Sequence, residues 1–164
     1  MAFYFTKAGM TIKAVAKNGK IYTGEFNRSA RYFIKNLPTT GETYDLTVTI
    51  PGHFDRHVTV NDLTDLFNGE SVGRMSYILY ALVMVGDVNN DNVIDIMDAI
   101  AIQEARGTDN RAADINFDGV VDEKDMQFVI KNYLKQNPDT QKTPKAKQIY
   151  KGKALADILK ELNI

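Results

Sequence analysis

The chain has 164 residues, of which 25% are charged and 44% are apolar, and its formal net charge at pH 7 is −1. This balance gives no basic excess that would favour nucleic-acid binding, and the absence of cysteine excludes disulfides, zinc–thiolate sites and thiol catalysis. The longest apolar run, residues 78–85, is about half as long as a membrane-spanning helix. The N-terminus lacks the basic start and apolar core of a signal peptide, so we expect a soluble fragment without a signal peptide and without membrane insertion.

Residues 1–85 have the pattern of short strands separated by turns. In the clearest, Thr43–Ile50, apolar and polar residues alternate with a period of two, as in a strand with one buried face. Further strands are predicted at Thr11–Lys17, Lys20–Phe26, Arg31–Lys35, Phe54–Val60 and Tyr77–Val85. Such closely spaced strands predict a small antiparallel, Ig-like β-sandwich. The last strand is apolar on both faces and no linker follows it, so we expect the next module to pack directly against it.

A twelve-residue pattern rich in aspartate and asparagine occurs twice. Residues 87–98 (DVNNDNVIDIMD, loop one) and 114–125 (DINFDGVVDEKD, loop two) carry a carboxylate or carboxamide at positions one, three, five, nine and twelve, with an offset of 27 residues throughout. A single copy can arise by chance, whereas two copies in register indicate a duplicated unit. The alternative is a pair of N-capped helices whose acidic residues bind no metal.

The spacing of these oxygen-bearing residues is that of a calcium loop. Positions one, three, five, nine and twelve supply side-chain ligands and position seven a backbone carbonyl. An all-oxygen set of this size favours calcium over magnesium, zinc and copper. Loop two has Gly119 at position six and loop one has Asn92, which tolerates a positive φ less well than glycine, so we expect loop one to bind more weakly. The prediction is two Ca²⁺ ions held by Asp87, Asn89, Asp91, Val93, Asp95 and Asp98, and by Asp114, Asn116, Asp118, Val120, Asp122 and Asp125.

Each loop is followed by a helical pattern, about Ile96–Arg106 and Glu123–Gln136, but no helix precedes either loop as it would in an EF-hand. Paired units of the form D-x-N-x-D-[GN]-x-[IV]-D-x-x-D resemble a dockerin of the type II kind, with two F-hand calcium loops. Residues 7–15, 36–54 and 82–87 resemble the X module, a small β-sandwich that precedes type II dockerins. The resemblance implies an α+β fold of two modules, with the sandwich at 1–85, the dockerin packed directly on it at 86–136, and a linker plus C-terminal amphipathic helix at 137–164.

The resemblance also implies a protein partner, because dockerins bind cohesin domains through positions ten and eleven and the helix face that follows them. The matching residues are Ile96, Met97, Ile100, Ala101 and Glu104 in the first copy, and Glu123, Lys124, Gln127, Phe128 and Lys131 in the second. The first set is mostly apolar and the second mostly charged, so we predict one dominant binding orientation, with the first copy supplying the apolar contact. The alternative is that Ile96, Met97 and Ile100 pack against the sandwich or the chain's own C-terminus.

The C-terminal segment lies beyond the point where dockerins generally end. Residues 137–152 are polar and rich in lysine and contain two prolines, as in a linker, and the apolar residues that follow have helical spacing: Leu155, Ile158, Leu159 and Leu162. This helix could cover an apolar surface of its own module, extend the partner interface or bind another chain. Docking onto its own module is the favoured interpretation.

No catalytic residues are predicted. The two histidines, His53 and His57, fall on one face of a predicted strand about 13 Å apart, too far to share a metal, and both are interpreted as surface residues. The function that the sequence favours is calcium-dependent docking of a secreted enzyme or scaffold onto a cohesin, in an extracellular complex or at the cell surface, by a module that is monomeric when unbound. The alternatives are a stabilising appendage of a larger secreted hydrolase without a cohesin partner, and a calcium-sensing EF-hand-like module.

Overall fold

The structure is a computed structural model that describes residues 7–26, 32–34, 36–38, 42–61, 64–67, 70–73 and 84–164. Its strands are β1 Thr11–Ala16, β2 Ile21–Thr23, β3 Glu25–Phe26, β4 Tyr32–Phe33, β5 Thr43–Thr49, β6 Gly52–His53, β7 Arg56–Asn61, β8 Thr64–Phe67, β9 Glu70–Gly73, β10 Val85–Asp87, β11 Ile149–Tyr150 and β12 Lys153–Ala154. Its helices are α1 Ile96–Ala105, α2 Glu123–Asn132 and α3 Leu155–Leu162. The predicted α+β class, with antiparallel pairing of the strands, is confirmed. The chain divides into two compact units, Met1–Thr49 with Arg56–Leu82, and Ile50–Asp55 with Val83–Ile164.

The first unit contains a four-stranded antiparallel sheet in the order β2-β1-β5-β7 and the two short pairs β3-β4 and β8-β9. One face of the sheet is buried, because inward-facing residues alternate with exposed ones along β1 and β5. The core comprises Ala14, Ala16, Tyr44, Leu46 and Val60. The predictions for β1 and β5 are confirmed to within a residue at each end. Most of the predicted strand Tyr77–Val85 lies outside the described residues.

The predicted strand Lys20–Phe26 is divided at Gly24. A Cβ at Gly24 would lie 1.8 Å from the backbone oxygen of Phe33, so only glycine permits this approach of the chain to β4. The Gly24 N–H donates to the hydroxyl of Tyr32 (3.0 Å) instead of continuing the strand. The alternation of side chains alone does not reveal this break.

Residues 50–55 belong to the second unit, which corrects the predicted strand Phe54–Val60. The short strand β6 pairs with β10, and Phe54 is buried in the core of the second unit. Gly52 has a φ of +78°, and a Cβ there would lie 2.6 Å from the carbonyl oxygen of Ala112. Because glycine alone satisfies both the φ angle and the contact, the chain can enter the second unit here and leave it again before β7.

The core of the second unit is formed by the two loops, the three helices and Phe54. Its buried residues are Phe54, Ile94, Ile96, Ala99, Ile102, Ala113, Ile115, Val121, Met126, Val129, Ile158 and Leu162. Helix α2 ends at Asn132, four residues before the predicted end, because Leu134 has a φ of +64° and its N–H donates to Ile94 O (2.7 Å). Within the described residues, no helix has both the length and the apolar character of a membrane span.

Candidate metal centre

The carboxylate at position one folds each loop around itself. Asp87 accepts hydrogen bonds from the backbone N–H groups of Asp91 (3.0 Å) and Asn92 (2.9 Å). Asp114 accepts the equivalent bonds from Asp118 (3.1 Å) and Gly119 (3.0 Å). The two sequence copies therefore fold in the same way, and the backbone holds each of these carboxylates in place.

The carboxylate at position twelve closes each loop from the following helix. Asp98 is fully buried and accepts from the N–H groups of Val88 (2.8 Å), Asn89 (3.3 Å) and Asp95 (2.7 Å). In loop two Asp125 is also fully buried and accepts the corresponding three bonds. Position nine is the N-cap of the helix in both copies. The predicted ligands at positions one, nine and twelve thus have structural roles that fix their side chains.

Positive φ angles occur at positions four and six of both loops. Position six has φ values of +67° at Asn92 and +95° at Gly119, as predicted from the residue types. Position four also has positive values, +57° at Asn90 and +63° at Phe117. Phenylalanine rarely adopts this conformation. The ring of Phe117 packs between the ring of His53, with 6.0 Å between centroids, and the guanidinium of Arg111, 3.7 Å from its centroid.

The buried carboxylates of loop one lack a compensating positive charge in the chain. Burial, together with the nearby carboxylate of Asp98, raises the pKa of Asp87 to about 7. Burial raises the pKa of Asp98 to about 7 as well. Two ionised carboxylates in a buried site are unfavourable unless a cation neutralises them. The all-oxygen donor set and the buried like charges of loop one therefore fit a calcium ion. Over the described residues, no three His, Cys, Asp or Glu side chains are grouped as in a metal site, so ligation by these residues stays a prediction.

Loop two contains a cation of its own. The ammonium group of Lys124, at position eleven, lies 2.9 Å from Asp118 Oδ2 and 3.3 Å from Asp122 Oδ2. The hydrogen bond with Lys124 lowers the pKa of Asp118, and the bonds with both carboxylates raise the pKa of Lys124. A residue predicted to contact a partner thus contacts two predicted calcium ligands, which the sequence analysis missed because side chains two and six residues apart were assigned to different functions.

The two copies are joined by matching pairs of backbone hydrogen bonds. Ile94 N donates to Lys135 O (2.9 Å) and Leu134 N donates to Ile94 O (2.7 Å). Val121, 27 residues after Ile94, makes the same pair with Thr108 O (2.8 Å) and Gly107 N (2.9 Å). Each loop is therefore bound at position eight to the segment that follows the other copy's helix. The repeat offset contains this relation, but the sequence analysis did not extract it.

The predicted partner-binding residues differ in exposure. Met97, Ile100 and Ala101 are partly exposed on α1 and Glu104 is exposed; on α2, Glu123, Lys124, Gln127 and Lys131 are exposed and Phe128 partly so. Ile96 is a correction, because its side chain is fully buried and its N–H donates to Lys147 O (3.2 Å). We therefore omit Ile96 from the proposed partner surface.

The C-terminal segment covers the side of α1 where Ile96 is buried. Ile158 of α3 is fully buried and Leu162 is 7% exposed, while Gln103 Nε2 donates to Glu161 Oε2 (2.8 Å) and Arg106 Nη1 to Leu162 O (3.4 Å). Docking of this helix onto its own unit, the favoured interpretation, is what the structure contains.

The two histidines lie in different units, which corrects the placement of both on one strand. His53 is half-buried in the second unit, where burial lowers its pKa. Nδ1 of His57 lies 3.3 Å from Oγ1 of Thr47 in the first unit. The chain leaves the first unit between Thr49 and Arg56, so the period-two argument did not apply across that interval.

Comparisons with known proteins agree with this geometry. A family model described as Dockerin type I domain matches residues 85–135. Two crystal structures of interface mutants of the type II cohesin-X-dockerin complex from Acetivibrio cellulolyticus are similar. The C-terminal interface mutant is 22% identical over 82% of this chain and 86% of that chain, with a TM-score of 0.52. The N-terminal interface mutant is 20% identical over 83% and 87%, with a TM-score of 0.50. No curated protein matches. Through residues 85–135, with their two matching loops and trailing helices, the chain contains a domain of the dockerin family.

Proposed function

We propose that this chain is a calcium-dependent docking module that binds a cohesin domain and so anchors a secreted enzyme or scaffold in an extracellular complex or at a cell surface. The observation that carries the proposal is the pair of matching loop–helix units within the region that the dockerin model covers. The similar solved structures are complexes of a type II cohesin with an X-dockerin, which supports a partner of that class. We assign no catalytic activity to the chain.

Two Ca²⁺ ions are proposed, one for each loop. The side chains at positions one, three, five, nine and twelve, with the carbonyls of Val93 and Val120, would hold them. A bound ion would neutralise carboxylates that the fold buries at positions one and twelve. Metal binding would then contribute directly to the stability of the second unit.

The proposed partner surface consists of two helix faces at corresponding positions. Its members are Met97, Ile100, Ala101 and Glu104 of α1 and Glu123, Lys124, Gln127, Phe128 and Lys131 of α2. Apolar side chains dominate the α1 face and charged ones the α2 face. Because these surfaces are not equivalent, one binding orientation is expected to dominate, with α1 providing the apolar contact, where truncation costs most.

Isothermal titration with type II and type I cohesin domains, in calcium and in excess chelator, tests the proposal. We expect binding in calcium only. Met97→Asp should weaken binding at least tenfold, by about 1.4 kcal/mol or more, whereas the control Ile149→Asp, at a side chain that is 65% exposed outside both faces, should not. Absence of binding to either cohesin type in calcium would contradict the proposed function.

A calcium sensor is disfavoured by the elements around the loops. Sensor EF-hands respond to calcium by opening a pair of helices. Here β10 leads into loop one and turns at 106–113 lead into loop two, so the described residues contain no helix directly before either loop. A rigid docking surface fits this arrangement better than an opening one.

A further inference from the structure

Position six of loop one is held by a residue outside the region that the dockerin model covers. Asn137 N donates to Asn92 O (2.9 Å) and Asn137 Nδ2 donates to Asn92 Oδ1 (2.7 Å). The same Nδ2 donates to Asp55 O (2.7 Å). Asn137 is only 4% exposed, so these bonds are shielded from water and their loss leaves buried polar groups without partners.

The repeat provides an internal comparison for this contact. Asn110 precedes Asn137 by the repeat offset of 27 residues and forms the same local turn: Asn110 Oδ1 accepts from Ala112 N (3.1 Å), as Asn137 Oδ1 does from Asp139 N (3.0 Å). Asn110 is exposed, and its counterpart across the repeat is Gly119, which has no side chain to bond. Asparagine at position six and a buried asparagine at 137 therefore occur together in one copy only.

A second contact from the C-terminal segment reaches position nine of the same loop. Lys147 N donates to Asp95 Oδ2 (2.7 Å), and Ile96 N returns a bond to Lys147 O (3.2 Å). Asp95 is 2% exposed. In loop two the equivalent carboxylate, Asp122, lies against the exposed ammonium of Lys124 instead. Loop one is thus fastened at two positions by the segment that follows α2.

We propose that residues 137–147 form a strap that completes loop one, and that Asn137 is the positioning residue through which the strap sets calcium affinity there. The inference rests on the proposed calcium binding. Asparagine in the left-handed conformation is less favourable than glycine, and the bond from Asn137 offsets that difference by fixing Asn92. Loop one is therefore not the weaker site that its position-six residue alone predicts. Outer contacts of this kind typically change metal affinity about 10- to 100-fold.

The test is a calcium titration of the full chain followed by NMR, with the backbone amide resonances of Asn92 and Gly119 reporting loops one and two separately. Asn137→Ala should lower the calcium affinity of loop one about tenfold and leave loop two unchanged. The matched control Asn110→Ala should leave loop one unchanged. In the Asn92→Gly background, Asn137→Ala should have a much smaller effect, because the side-chain partner and the backbone cost are both removed.

Two outcomes would overturn the strap. One is a loop-one affinity for calcium that changes by less than about twofold in Asn137→Ala; the other is an equal loss in both loops, which indicates general destabilisation. Circular dichroism in calcium establishes whether each variant is folded, and Asn137→Ser replaces Asn137→Ala if the latter is not. Failure of the unmodified chain to bind calcium at all would refute the proposed function itself, which the same titration distinguishes from failure of the strap.

Discussion

Position eleven is the residue at which the two loops differ most in charge. It is Met97 in loop one and Lys124 in loop two. Both follow the N-cap directly by two positions and begin the proposed partner face. Only Lys124 reaches back to the carboxylates at positions five and nine, so a cation for loop two must displace its ammonium group or bind beside it.

Lys124→Met, which copies the residue of loop one, should therefore raise the calcium affinity of loop two. We expect an increase of a few-fold, because the ion pair is solvent-exposed and such pairs contribute only about 0–1 kcal/mol. Calorimetric calcium titration measures the change. Lys131→Met is the matched control, since Lys131 lies on the same helix and has no contact with the loop carboxylates among the ion pairs recorded in the described residues. Equal effects of the two variants would contradict a specific role for Lys124.

Gly52 and Gly152 form a natural pair for measuring close packing. Their φ angles are +78° and +79°, but a Cβ at Gly52 would lie 2.6 Å from Ala112 O, whereas one at Gly152 would meet nothing within 4 Å. Gly152→Ala should cost about 1–2 kcal/mol of unfolding free energy from the backbone conformation alone. Gly52→Ala should cost about 1–3 kcal/mol more from overpacking. Denaturant unfolding of both variants in calcium gives the difference, and equal losses would mean that the contact relaxes without cost.

At the scale of elements, local patterns predicted what local physics determines. Alternating side chains gave β1 and β5, and the repeat gave both loops and the starts of α1 and α2, because N-caps and periodic apolar stripes depend on neighbours a few residues apart. The excursion of residues 50–55 into the second unit, the bonds of Ile94 and Val121, and the contacts of Asn137 all join distant parts of the chain. Such contacts depend on how the elements pack, which periodicity does not encode.

Helix α3 illustrates an element whose existence was predictable and whose surroundings were less so. Its apolar spacing predicted a helix, and the structure buries Ile158 fully against α1. Ile158→Ala should cost about 2–5 kcal/mol by leaving a cavity. Ile149→Ala, at a side chain that is 65% exposed, should change stability by less than about 0.5 kcal/mol. Thermal melts in calcium compare them, and an Ile158→Ala protein as stable as the control would show that α3 contributes little to this core.

At the scale of the whole molecule, each of the two units has its own buried cluster, and only the second contains buried carboxylates in repeated loops. The core of the first unit, Ala14, Ala16, Tyr44, Leu46 and Val60, is apolar apart from the Tyr44 hydroxyl, which donates to Pro38 O (2.6 Å). Removal of calcium should therefore affect the two units unequally. Hydrogen exchange in chelator should increase across residues 87–125 while β1 and β5 keep their protection, and uniform loss in both units would contradict this.

The stability of the metal-free protein should fall as the pH rises towards neutrality. Burial, with the neighbouring Asp98 carboxylate, raises the pKa of Asp87 from 3.8 to about 7, and burial raises that of Asp98 to about 7. A carboxyl group whose pKa is higher in the folded state stabilises the fold while it is protonated, and that contribution is lost as the pH rises from about 4 through about 7. Calcium favours the ionised form and releases protons when it binds. The melting temperature in excess chelator should thus decrease between about pH 5 and pH 8, while the difference between the calcium-loaded and chelated forms increases. Circular dichroism melts across this range measure both trends, and Asp98→Asn should flatten the decrease in chelator because the mutual repulsion of the two carboxylates is removed. A chelated melting temperature that rises with pH would mean that the carboxylates of loop one are compensated without metal.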